Sequence, residues 1–182
     1  STGDEREARP ETVAALRDLF GHAEFRPGQV DVIERVLDGE DTLAIIPTGG
    51  GKSLTYQLTA MLSAGVTLVV SPLIALMKDQ VEKAPATIRD RVTLINSDID
   101  AAERHARLRD VADGQIKLLY VAPERLLDPT LKRALLTAGI ARMVIDEAHC
   151  ISLWGHDFRP DYLTIPLSLR EFGNPPLLAV TA

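Results

Sequence analysis

Cysteine is almost missing from this chain. Cys150 stands alone among 182 residues, which excludes an internal disulfide and the disulfide-stapled scaffolds of small secreted domains. A reducing, intracellular location is therefore expected, cytoplasmic and nucleoid-associated in a bacterium or nuclear in a eukaryote. No apolar run approaches the ~20 residues of a membrane-spanning helix, and the charged N-terminus has no signal-peptide pattern, so no membrane partner is expected. Basic charge is also short. Twenty Lys and Arg face 26 Asp and Glu, a net charge of −6, and a phosphate backbone rewards basic surfaces, so any contact with nucleic acid must be local. Aromatic residues make up only 4% of the chain, which makes any concentration of them conspicuous. Repeats and low-complexity tracts are absent. What remains suits one compact domain, of a length that buries roughly two-thirds of its unfolded surface.

Glycine is not scarce where it matters. Pro47-Thr48-Gly49-Gly50-Gly51-Lys52-Ser53 lies between the apolar run Leu43 to Ile46 and a helical pattern that begins at Leu54. Three successive glycines let several N–H groups point into one hollow, and the helix that follows adds the positive end of its dipole. Such a hollow fits a polyphosphate. Lys52 would reach the β- and γ-phosphates, and the Ser53 hydroxyl would be a ligand of the Mg²⁺ that accompanies ATP. The match to the phosphate-loop pattern departs at its first position, where Ile46 replaces glycine.

A second run, Met143 to Ile145, ends in the adjacent carboxylates Asp146 and Glu147, 94 residues beyond Lys52. In a parallel sheet, ligands gather at the carboxyl ends of strands. There, Asp146 would hold Mg²⁺ through water while Glu147 orients and deprotonates an attacking water. Strand-like runs at Thr42 to Ile46, Thr67 to Val70, Val92 to Ile95, Ile116 to Val121, Arg142 to Ile145 and Leu177 to Val180 alternate with helical stretches. The clearest helix, Asp100 to Asp113, opens with Asp100 and Glu103 at capping-box spacing and stops at Gly114. Apolar strands alternating with helices imply an α/β fold, a parallel sheet with helices on both faces. Residues 1–10 are expected to be a flexible N-terminal tail and 11–182 the domain.

The order of the motifs closely resembles the RecQ family of ATP-dependent DNA helicases. Phe20-Gly21-His22, Phe25-Arg26-Pro27-Gly28-Gln29, the phosphate loop, Ser71 to Gln80, Ala122-Pro123-Glu124-Arg125-Leu126, Asp146 to Ser152 and Trp154 to Pro160 carry the resemblance, from about Thr12 to Ala182. It implies a RecA-like P-loop NTPase domain, the first of two in a motor that moves 3′-to-5′ on single-stranded DNA and opens tailed duplexes in repair and recombination. It further implies that the chain stops at the third helicase motif, Val180-Thr181-Ala182, with the second RecA-like domain and its arginine finger lying beyond. A monomer is expected. The isolated domain should bind ATP without unwinding.

The resemblance assigns adenine contacts to His22, Arg26 and Gln29, and phosphate contacts to Thr48, Gly49, Gly50, Gly51, Lys52 and Ser53. Ser71 and Lys78 fall near a DNA phosphate, and His149 joins the ATP site to Val180-Thr181-Ala182. Trp154, Phe158 and Arg159 belong to an aromatic loop, closed by Tyr162, that senses single-stranded DNA and relays it to the acidic pair. On their own chemistry, Arg26 and Gln29 also suit a solvated helix start, Lys78 an ordinary surface lysine, and Trp154 and Phe158 a core. Cys150, His149 and His156 lack the paired spacing of a zinc site. Two other readings stay open: a nucleotide- or DNA-binding module without turnover, and an RNA helicase of the DEAD-box type.

Overall fold

The computed structural model describes residues 5–47, 51–151 and 160–182. Six strands, β1 (Thr42–Ile45), β2 (Val66–Val70), β3 (Val92–Ile95), β4 (Leu118–Val121), β5 (Ile140–Ile145) and β6 (Leu177–Thr181), form one sheet in the order β1-β6-β5-β2-β4-β3. Every pairing is parallel. Each apolar run of the sequence overlaps one of these strands. The ends shift: β5 starts earlier, at Ile140, with Arg142 buried within it, and β4 starts later, at Leu118.

Among the described residues seven α-helices surround the sheet: α1 (Pro10–Phe20), α2 (Gln29–Leu37), α3 (Lys52–Met61), α4 (Ile74–Glu82), α5 (Ala101–Ala112), α6 (Pro129–Ala138) and α7 (Ile165–Glu171). Strand residues alternate between the two faces, as a pleated backbone demands. Ala44, Val69, Leu94, Tyr120, Val144 and Val180 meet α2, α3 and α4, while Leu68, Ile95, Leu119, Met143 and Ile145 meet α5, α6 and α7. The cover ends at the β1 edge. Leu43 and Ile45 lie on the second face and are 67% and 70% exposed.

α1 packs on α2 and α3 through Ala15, Leu16, Ile33 and Leu58, while Val13 faces solvent. Pro10, placed by sequence in the tail, is the first residue of α1. Two more tail residues make ion pairs: Arg6 with Asp38 and with Glu40 at 2.6 Å, and Arg9 with Asp38 and with buried Glu34 at 2.7 Å. The capping box at α5 is half formed. Asp100 accepts from Glu103 N at 2.8 Å, whereas the Glu103 carboxylate turns to Arg107 instead of back to the helix start.

The C-terminal end of α3 is held by two cations, as its dipole favours. Lys117 Nζ donates to Ser63 O at 3.1 Å, and buried Arg142, its pKa pushed down to about 10 by burial, donates to Ser63 Oγ at 2.8 Å. Gly65 then turns the chain into β2 with φ 85°, against the turn that leads into β5. A Cβ there would stand 2.6 Å from Gly139 O, backbone that cannot yield cheaply. Gly65→Ala should therefore cost about 2–3 kcal/mol through left-handed strain plus overlap, read as a lower urea midpoint at unchanged slope. An unchanged midpoint would show that the two turns are free to separate.

Candidate active site

The strand order explains why residues far apart in sequence meet. β6 lies between β1, which leads to the phosphate loop, and β5, which leads to the acidic pair, so all three strands deliver their carboxyl ends to one edge. Ile46 N donates to Thr181 O at 2.9 Å, and Asp146 N to Val70 O at 3.0 Å, which keeps the chain in register just past the strands.

Lys52, the first residue of α3, reaches across this edge. Its Nζ is 3.1 Å from Asp146 Oδ1 and 3.0 Å from Glu147 Oε1. Burial works against the ammonium charge, but the two carboxylates outweigh it and raise the Lys52 pKa. Asp146 is almost fully buried. Burial raises its pKa, and Lys52 offsets that only in part. A cation between two carboxylates at a helix N-terminus is prepared to hold phosphoryl charge, because each group is already placed in surroundings of low polarity.

The acidic pair sits on an unusual backbone. Glu147 has φ 56°, in the left-handed region that a non-glycine residue enters at a cost of about 1–3 kcal/mol. Its N–H donates to Asp146 Oδ1 at 2.9 Å. Beyond it, Glu147 Oε2 lies 3.5 Å from His149 Nδ1, which shares a 3.0 Å hydrogen bond with Thr181 Oγ1. Lys52, Glu147, His149 and Thr181 thus form a continuous polar chain from the phosphate loop to the end of β6.

At the entrance, Gln29 is buried at the start of α2. Its Oε1 accepts from Arg26 N at 2.8 Å, and its Nε2 donates to Gly51 O at 3.0 Å. Gly51 has φ 78°, and a Cβ added to it would overlap the Gln29 carboxamide, so any other residue would be strained there and would push Gln29 aside. Gln29 therefore fastens Gly51, the residue before α3, a contact with no signature in the sequence. His22, Arg26, Gln29, Gly51 and Ser53 line a cavity of about 270 Å³ together with Phe20 and Lys83, small beside typical ligand pockets. Lys83 comes from the end of α4, and nothing in its own sequence neighbourhood pointed to it.

Three further residues singled out by sequence have these settings. Ser71 is buried, and its hydroxyl accepts from Leu73 N at 3.5 Å, so it faces the start of α4 and is not open to a phosphate from outside. Lys78 is exposed on α4. Tyr162, grouped by sequence with the aromatic loop, is buried and donates to Asp146 O at 2.9 Å, because its ring joins the core between β5, α6 and α7. Thr48, Gly49, Gly50, Trp154, Phe158 and Arg159 lie outside the described residues, as does His156. No helix among the described residues is long and apolar enough to cross a membrane.

Comparison with known proteins gives the same frame. The DEAD/DEAH box helicase family model matches residues 26–182. A probable ATP-dependent DNA helicase RecS of Bacillus subtilis is 46% identical over 92% of this chain, which spans 33% of that protein. An ATP-dependent DNA helicase RecQ of Haemophilus influenzae is 40% identical over 96% of the chain, which spans 28% of it. The chain thus covers a third or less of the length of these relatives. Among solved structures, the helicase MrfA bound to DNA superposes with a TM-score of 0.76 over 96% of this chain and 26% of its own, at 21% identity, a likeness of fold.

Proposed function

This chain belongs to the DEAD/DEAH box helicase family, with RecQ-type helicases among its relatives, and from that premise we propose that it is the first motor domain of an ATP-dependent DNA helicase. The parent protein would move 3′-to-5′ on single-stranded DNA and open tailed duplexes in repair and recombination. The observation that carries this reading is Lys52 Nζ within 3.1 Å of both carboxylates of the acidic pair, at the one sheet edge where β1 and β5 deliver them.

The chemistry of the donors fits Mg²⁺. A hydroxyl and a carboxylate, Ser53 and Asp146, are hard oxygen ligands, and Mg²⁺ characteristically takes one or two of these and completes its shell with phosphates and water. Bound there, it would neutralise phosphate charge. Lys52 then stabilises the transferring phosphoryl group, while Glu147 holds the attacking water and accepts its proton. The cavity beside Gln29, Arg26 and His22 receives the base. His149 and Thr181 extend the polar chain toward β6, a route by which events at the phosphates reach the rest of the motor.

The test is the steady-state ATPase of the protein that carries this chain, with and without single-stranded DNA, beside strand separation on a 3′-tailed duplex. DNA-stimulated hydrolysis and unwinding support the reading. Hydrolysis stimulated by RNA alone would favour the RNA-helicase reading, and nucleotide binding without hydrolysis the inert module.

Trp154→Ala, Phe158→Ala and Arg159→Ala are each expected to lower DNA stimulation of the ATPase far more than ATP affinity. Stacking on a base is worth ~1–3 kcal/mol, so DNA affinity should fall by roughly 5- to 150-fold per contact. Lowered melting temperatures with coupling intact in the folded fraction would instead place these side chains in the core.

A further inference from the structure

We infer that Tyr162 is a positioning residue for hydrolysis, a latch that holds the Asp146–Glu147 peptide in the orientation that aims Glu147. The inference rests on the reading of Glu147 as the group that orients water, and adds a residue to it. Both ends of that single peptide are held. Its N–H donates to the Asp146 carboxylate at 2.9 Å, and its carbonyl, Asp146 O, accepts from the Tyr162 hydroxyl at 2.9 Å.

This peptide is the one that sets φ of Glu147, 56° in the left-handed region. A glutamate has no intrinsic reason to stay there, and a conformation of that kind persists only where its surroundings over-determine it. Rotation of the peptide plane would let Glu147 relax toward ordinary φ and carry its carboxylate away from Lys52 Nζ, now 3.0 Å distant. Such rotation must first break the Tyr162 bond. That bond is well sheltered: Tyr162 is 2% exposed, and its ring packs in the cluster that contains Ile145, Leu126 and Ile165. Out of water, a hydroxyl-to-carbonyl bond is hard to exchange for another partner.

The hydroxyl is too far back in the core to touch a nucleotide, so its effect passes through Glu147. Tyr162→Phe keeps the ring and removes only the donor. In the protein that carries this chain, kcat for ATP hydrolysis should fall roughly tenfold, the factor by which one net hydrogen bond shifts an equilibrium, with KM little changed. Affinity for Mg·ADP should stay the same, while affinity for Mg·ADP with aluminium fluoride, which stands in for the transferring phosphoryl group, should fall with kcat. Ser168→Ala provides the comparison. Ser168 lies on α7, in the same part of the structure, and its buried hydroxyl is removed without disturbing the acidic pair.

If Ser168→Ala lowers kcat equally, or if Tyr162→Phe weakens both nucleotide complexes alike, the effect is one of packing and the latch is overturned. It is also overturned if Tyr162→Phe hydrolyses at the parental rate or fails to fold, since a hydroxyl that only positions a peptide can be lost without losing the fold. A parent without ATPase activity refutes the proposed function itself. That outcome is distinct from a fully active Tyr162→Phe beside an active parent.

Discussion

Glu147→Gln is expected to bind Mg-ATP within about threefold of the parent and to lose turnover by ~10²–10⁴, the usual contribution of a positioned general base. The amide is nearly isosteric, so its oxygen can still accept from Lys52 Nζ and the backbone has no new reason to leave its left-handed turn. What disappears is the charge that takes the proton from water. Lys52→Ala should behave differently. It removes the cation that meets both carboxylates and leaves Asp146, 2% exposed, to face its neighbour without compensation. Nucleotide binding and hydrolysis should then fail together. Equilibrium titration beside steady-state ATPase separates the two variants, and near-parental hydrolysis by Glu147→Gln would remove Glu147 from its assigned role.

Residues 1–182, expressed alone, should fold, bind Mg-ATP weakly and open no duplex. Folding follows from a contiguous six-stranded sheet with a core on each face. Weak binding follows if the base enters the small cavity beside Gln29, whose lining comes from this domain alone. Hydrolysis should be slower than in a two-domain motor by ~10³–10⁵, the worth of an arginine finger supplied by a partner domain. Unwinding needs two bodies that close and reopen as nucleotide turns over. The decisive measurement is strand separation on a 3′-tailed duplex beside a nucleotide titration. Robust unwinding by these residues alone would overturn the two-domain account.

Much of this site could be read from the chain because its chemistry is local. Lys52 and Ser53 follow glycines and open a helix, and Asp146 and Glu147 end an apolar strand, so composition and position coincide. The six strands were visible for the same reason, as buried parallel strands are apolar throughout. What stayed hidden depends on partners distant in sequence. Gln29 meets Gly51 O across 22 residues, Tyr162 meets Asp146 O across 16, and Arg9 meets Glu34 across 25. Ser71 shows the opposite failure. Its place after a strand suggested an outward contact, and only the packed structure shows the hydroxyl turned inward. The exposure of Leu43 and Ile45 was equally illegible, because a strand's apolar pattern does not say whether it lies at an edge.

The place of β6 also governs the order in which the molecule can be made. Among the described residues β1 has no sheet neighbour except β6, whose residues 177–181 are synthesised long after it. During vectorial synthesis β2 and β4 can pair early, and β5 can join them, while the strand that carries the phosphate loop waits with both edges open. Lys52 and the acidic pair are therefore brought to a fixed separation by β6, inserted between β1 and β5. Such long-range closure is slow because the entropy of a long loop must be lost before the pairing contributes. Until β6 is made, Lys52 and the acidic pair are not held at their final distance, and the intermediate carries an unpaired apolar strand, the kind of segment that recruits chaperones.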